Sequence, residues 1–121
     1  MCIYARIGKN LLLSIRLSQA IKKMECKSMN EKILERKLVC AVKMMGGLCV
    51  KFVSPGLDGV PDRIILLPGG HIGFAEIKTT GLKPRPLQMR RKRQLEQLGF
   101  SVFILDEPKQ IGGILDEIQS S

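Results

Sequence analysis

Tryptophan is absent from this chain, and aromatic residues make up only 4% of its 121 positions. A surface that reads single-stranded bases by stacking needs more rings than that. Histidine occurs once, at position 71. It falls in a predicted turn and is expected to be exposed, so catalysis through histidine has little to draw on. The four cysteines, Cys2, Cys26, Cys40 and Cys49, show no CxxC spacing and have no companion histidines. A zinc site is therefore not indicated. Cys40 and Cys49 sit among apolar residues and read as small buried hydrophobes, with reduced thiols as the simplest account. No apolar run approaches the roughly 20 residues of a membrane-spanning helix. Residues 11–15 are too short for the apolar region of a signal peptide, and no membrane partner is expected.

The chain has an excess of positive charge. Its formal net charge is +9, which points to a polyanionic partner. Residues 1–28 hold six basic residues and one acid, and they differ in character from the rest of the chain. Residues 11–24 fit a short basic amphipathic helix. The expected organisation is a basic N-terminal extension over 1–28 and one domain over 29–121, a length that supports a single core.

From Asn30, a good N-cap, the pattern predicts a helix to residue 45, closed by Gly46-Gly47. Strands are expected at 48–53, at 63–67 and at 72–78. A glycine- and proline-rich loop separates the first two, and a Pro68-Gly69-Gly70 turn the second pair. The apolar run at 63–67 suggests burial on both faces. Pro86 suits the first turn of a helix running to residue 98, with Gly99 ending it. A fourth strand at 101–105 and a weaker helix at 111–118 complete an αβββαβ(α) order, an α/β fold.

Within that order, chemistry concentrates on one hairpin. Glu76 and Lys78 share a strand face, because side chains at i and i+2 point the same way. The Gly-Gly turn folds the preceding strand back so that Asp62 comes level with Glu76. Two carboxylates and an ammonium on a basic protein suit Mg²⁺-dependent phosphodiester hydrolysis. Mg²⁺ binds few protein carboxylates and keeps several waters. Asp62 and Glu76, with the main-chain carbonyl of Ile77, would make such a site, and Lys78 would orient or deprotonate the attacking water. Taken singly, these residues also fit a turn aspartate and a surface ion pair.

Two further elements bear on that hairpin. On the first helix, Leu38, Val39 and Val42 fall within roughly 60° of Glu35 at 100° per residue. Glu35 thus sits inside the apolar stripe, where an ionised carboxylate needs a partner or a metal. Glu31, one turn earlier, lies on the same stripe. A second apolar patch at Ile33, Cys40 and Met44 would be covered by the N-terminal segment or a second subunit. Between Lys78 and Arg93 there are seven Lys/Arg and no acid. Phosphate contacts are their natural use, with Lys83, Arg85, Arg90 and Arg91 the expected nucleic-acid contacts. Gln88, in the first turn of the second helix, is placed to hydrogen-bond a carboxylate or a phosphate.

Glu35, Gly59-Val60-Pro61-Asp62, Glu76-Ile77-Lys78 and Gln88, in this element order, resemble the PD-(D/E)xK nuclease superfamily. The likeness is strongest to its stand-alone phage and bacterial VRR-NUC domains. The strings Phe52-Val53-Ser54-Pro55-Gly56 and Pro86-Leu87-Gln88 add to it, and it covers roughly residues 30–118. The resemblance implies a restriction-endonuclease-like core with a central mixed sheet. It also implies a Mg²⁺- or Mn²⁺-dependent DNA endonuclease leaving 5′-phosphate and 3′-hydroxyl ends. Asp62 and Glu76 would be metal ligands, Lys78 the water-positioning base, Glu35 (or Glu31) the helix carboxylate and Gln88 a helper. Stand-alone members resemble Holliday-junction resolvases, so a homodimer acting on branched DNA is expected. The compartment would be the cytoplasm, that of the host if the chain is phage-encoded. The alternative is a non-catalytic basic DNA-binding module of the same fold.

Overall fold

The computed structural model describes residues 30–79 and 81–121. The expected extension over 1–28, with Cys2, Cys26 and the amphipathic stretch 11–24, lies outside the described residues. Helix α1 (Glu31–Met44) starts where the Asn30 side chain accepts a hydrogen bond from the Ile33 amide at 2.9 Å. This satisfies one of the amide groups orphaned at a helix N-terminus. Leu34, Leu38, Ala41 and Val42 recur at helical spacing and are all buried, forming the stripe that faces the sheet.

Four strands complete the sheet: β1 (Leu48–Lys51), β2 (Arg63–Leu67), β3 (His71–Ile77) and β4 (Ser101–Leu105). They lie side by side in chain order, β1–β2 and β2–β3 antiparallel and β3–β4 parallel. A parallel pair requires a crossover, and the segment carrying α2 (Pro86–Gln97) supplies it. A 3₁₀ turn (Pro108–Gln110) leads into α3 (Ile111–Ser120).

The register divides the sheet into two faces. On the core face, Ile65, Leu67, Ala75, Ile77 and Leu105 are buried against α1 and α3. Complete burial of one such aliphatic side chain is worth roughly 1.5–3 kcal/mol. Gly73 belongs to this face, and a Cβ there would collide with the Ile118 side chain, so its lack of one lets α3 lie close to the sheet. The other face is more open. Its cross-strand rows are Leu48–Leu66–Ile72 and Val50–Ile64–Phe74–Val102. Leu48 is 60% exposed and Ile72 41% exposed.

That asymmetry corrects the expectation that β2 is buried on both faces. Ile65 and Leu67 are buried, whereas Ile64 and Leu66 are half-exposed, because helices line only one side along the length of β2. β1 ends at Lys51 rather than at 53. The pairing closes with the Phe52 amide donating to the Asp62 carbonyl at 3.0 Å, after which the chain enters the loop. His71 opens β3 instead of sitting in the turn; it is half-buried, with Nδ1 2.9 Å from the Ser121 carbonyl oxygen. Cys40 is exposed, contrary to expectation, because it lies on the flank of α1 away from the buried stripe. Cys49 is half-buried against the core, and burial pushes its thiol up to about 11 despite the nearby Arg63.

Candidate active site

The register Arg63↔Ala75 carries Asp62 to the level of Glu76, one position beyond the ladder. Asp62 is exposed at the mouth of the loop, and its Oδ2 accepts a hydrogen bond from the Ile77 amide at 2.8 Å. This bond ties the carboxylate to the end of β3. Glu76 is buried, with 4% of its surface exposed. A carboxylate out of water needs compensation, and two neighbours supply it. Gln88 Nε2 donates to Glu76 Oε1 at 2.7 Å, and Lys78 Nζ lies 3.5 Å from the same oxygen.

The compensation is incomplete. Burial, then the charge of Asp62 and its hydrogen bond, push the Glu76 carboxyl up from 4.5 to about 7, against the opposing pull of Lys78. A buried carboxyl that also faces a second carboxylate holds its proton toward neutrality when no divalent cation sits between the two. Two oxygen-donor side chains in such a pair suit a hard divalent ion, which takes few protein ligands and completes its shell with water. Among the described residues, no group of three or more His, Cys, Asp or Glu converges to hold a metal. The carboxylates that could hold such an ion are Asp62 and Glu76, which face one another at the end of the hairpin.

Each partner is fixed by its own element. Lys78 follows β3 directly, and its amide donates to the Leu105 carbonyl at 2.9 Å, so the backbone leaving the sheet is held by β4. Gln88 sits in the first turn of α2, where its Oε1 also accepts from the Arg85 amide at 2.9 Å. One amide side chain thus caps the helix and holds Glu76. Gly59 docks the preceding loop against this turn. Its φ is +79°, and an added Cβ would lie 2.7 Å from Leu87 Cγ and 3.0 Å from the Leu87 carbonyl oxygen. Only glycine fits both the conformation and the space.

The two glutamates of α1 share a cleft with Asp62. Glu31 and Glu35 line a cleft of about 320 Å³ together with Lys51, Phe52, Asp62 and Ile77. Within it, Glu35 Oε1 accepts from Arg63 Nε at 2.7 Å, and Arg63 Nη1 donates to the Cys49 carbonyl at 3.1 Å. The carboxylate found in the apolar stripe is thus neutralised by an arginine. Glu31 Oε1 accepts from the Thr79 amide at 3.4 Å. Sequence reasoning missed Arg63. The available signal was alternation: Arg63 opens an apolar strand and faces opposite to Asp62, toward α1.

Of the expected nucleic-acid contacts, Lys83, Arg85 and Arg90 are exposed. Arg91 is committed within the fold: Nε donates to the Asp58 carbonyl at 2.9 Å and Nη1 to Gln94 Oε1 at 2.6 Å. It holds the 52–61 loop onto α2.

No family model matches the chain. It is 49% identical over 76 residues to "Putative nuclease p44" of Acyrthosiphon pisum secondary endosymbiont phage 1, covering 63% of this chain and 82% of that one. A solved structure described as "VRR_NUC domain" superposes with a TM-score of 0.68 at 29% identity, covering 74% of this chain and 97% of that one.

Proposed function

Because the chain belongs to the VRR-NUC nuclease family, we propose that it is a divalent-metal-dependent DNA endonuclease whose site is built on Asp62, Glu76 and Lys78. The observation that carries this reading is the meeting of two carboxylates and an ammonium at one sheet end, with Glu76 buried and held by Gln88. Asp62, Glu76 and the Ile77 carbonyl would hold Mg²⁺ or Mn²⁺, which when bound supplies Lewis-acid activation of a phosphate oxygen and of water. Lys78 would hold the attacking water through its ammonium or, as the neutral amine, take its proton. Gln88 keeps Glu76 oriented toward Asp62. The water oxygen bonds to phosphorus and the bond from phosphorus to the 3′ oxygen breaks. The products are a 5′-phosphate and, once protonated, a 3′-hydroxyl.

The test uses labelled four-way junction, flap and linear duplex DNA, each with Mg²⁺, with Mn²⁺ and with chelator. We expect metal-dependent cleavage, fastest on the branched substrates, and loss of cleavage in Asp62→Ala and Lys78→Ala. Absence of cleavage on all three, or cleavage indifferent to both substitutions, sinks the proposal. A purely binding role instead predicts salt-sensitive junction binding with no metal requirement. Calorimetry separates the two: Mn²⁺ binding that disappears in Glu76→Ala supports the enzyme.

The nuclease domain is taken to span 29–121, which holds every residue of the candidate site. A chain lacking 1–28 is expected to cleave as the full chain does, and a lost activity would place part of the machinery in that segment. A homodimer with one site per protomer suits two symmetric nicks on a junction. Its support is the open sheet face, where Leu48, Leu66 and Ile72 form a partly exposed apolar row of the kind that marks interaction surfaces.

A further inference from the structure

The strongest feature that the catalytic reading does not use is a groove on the opposite flank of the site. It has a volume of about 580 Å³ and runs between α1 and the edge strand β1. Its charged lining is Lys32, Arg36 and Lys43 from one side of α1, Lys51 from β1, and the Arg63–Glu35 pair. Glu35 is the one acid in it, and Arg63 already neutralises that charge at 2.7 Å. Lys32, Arg36, Lys43 and Lys51 are exposed, and none makes an ion pair among the described residues. Four uncompensated cations along one groove repel one another, an arrangement that a bound polyanion relieves.

Position gives the groove its meaning. Glu35 and Lys51 line both this groove and the cleft that contains Asp62, so the two are continuous. Lys51 pairs in register with Arg63 on the core face, the side that α1 covers. The basic run of Lys83, Arg85 and Arg90 accompanies α2, whose Gln88 reaches Glu76 from the other side of the sheet. The acidic pair therefore stands between two separate basic surfaces. Along α1, Lys32 and Lys43 are roughly 16 Å apart at 1.5 Å per residue. A span of that length reaches several consecutive phosphates of one strand, whose charges recur about every 3.4 Å of duplex axis.

We propose that the groove between α1 and β1 is a second phosphate-binding track, which guides the DNA backbone into the cleft from the side opposite α2. This rests on the nuclease reading and extends it: the substrate is gripped on both flanks of the cut, by different faces of the sheet. The contacts are to phosphates, so the groove adds affinity and register without sequence preference.

The test is binding of a labelled junction in chelator, so that no cleavage occurs, over a series of salt concentrations. The triple variant Lys32→Ala, Arg36→Ala, Lys43→Ala removes only exposed side chains from a helix and introduces a strong helix former. At about 0.9 per contact, the slope of log affinity against log salt should fall by about 2.7, with affinity at 0.1 M salt weakened roughly a hundredfold or more. Lys109→Ala, an exposed lysine outside the groove, should leave the slope nearly unchanged. Cys40, exposed in the groove lining, gives a readout that needs no variant. In saturated complex its alkylation, mapped by mass spectrometry, should be slower than in free protein. A wild type that binds and, with Mg²⁺, cleaves, while the triple variant matches its slope and Cys40 reacts at the free rate, overturns the groove alone. A wild type that neither binds nor cleaves overturns the nuclease reading with it.

Discussion

At the scale of single residues, Glu76 makes the sharpest demand. Its carboxyl is raised from 4.5 to about 7, chiefly by burial and then by Asp62. The folded state therefore holds this proton more tightly than the unfolded chain does. Without metal, the resulting stability is fully present below about pH 4.5 and is lost as pH rises through about 7, an effect of a few kcal/mol. Melting temperatures in chelator should fall between pH 5 and 8, and Glu76→Gln should flatten that part of the profile. Mg²⁺ or Mn²⁺ competes with the proton, so its stabilising effect should be larger at pH 8 than at pH 5. Identical profiles for the parent and the Glu76→Gln variant would count against the acidic pair as described. Glu35 makes a different demand. Its removal leaves the half-buried Arg63 guanidinium without its carboxylate. Glu35→Ala should cost about 1–2 kcal/mol in chemical denaturation. Glu35→Gln, which keeps one hydrogen-bond acceptor, should cost less. Comparing cleavage by these two variants under conditions where both are folded separates a role in catalysis from a role in placing Arg63.

At the scale of elements, the site depends on how the 52–61 loop meets the start of α2. Gly59 packs onto Leu87, Arg91 grips the Asp58 carbonyl, and Gln88 reaches back to Glu76. Gly59→Ala places a Cβ against Leu87 in a backbone conformation that alanine resists. Loss of about 1–3 kcal/mol is expected. Because the loop carries Pro61 into Asp62, cleavage should fall more than stability does. A Gly59→Ala protein with wild-type turnover would show that loop and helix can separate without disturbing the acids. α2 itself has no buried residue, so these contacts, more than packing, hold it in place.

At the scale of the whole molecule, the sheet is covered unevenly. Helices α1 and α3 bury one face, while Leu48 and Ile72 remain exposed on the other. If a second copy covers this row, the double variant Leu48→Glu, Ile72→Glu should sediment as a folded monomer where the parent is a dimer. Its junction cleavage should then lose the paired character of two symmetric nicks. A parent that is monomeric at micromolar concentration would remove the dimer from the proposed function.

Much of the fold was legible because its causes are local. Asn30 caps α1, Pro68-Gly69-Gly70 sets the hairpin, and Pro86 starts α2, each through backbone preferences that act within a few residues. The hairpin also put Asp62 and Glu76 side by side, since strand alternation and one turn fix that register. Other features depend on contacts between residues far apart in the chain. Alternation shows that Arg63 faces away from Asp62, but only the packing of α1 over β2 decides that it meets Glu35. Charge counting found the basic run around α2. It missed the groove, because Lys32, Arg36 and Lys43 are dispersed along a helix and Lys51 joins them only across the α1–β1 contact. The order of residues was enough to place the elements from residue 30 onward and the hairpin that brings Asp62 level with Glu76, all of which rest on short-range rules. The packed chain was needed to bury Glu76, to hold its proton near neutrality and to stand the acids between two basic surfaces, because burial and electrostatic field arise only when distant segments meet.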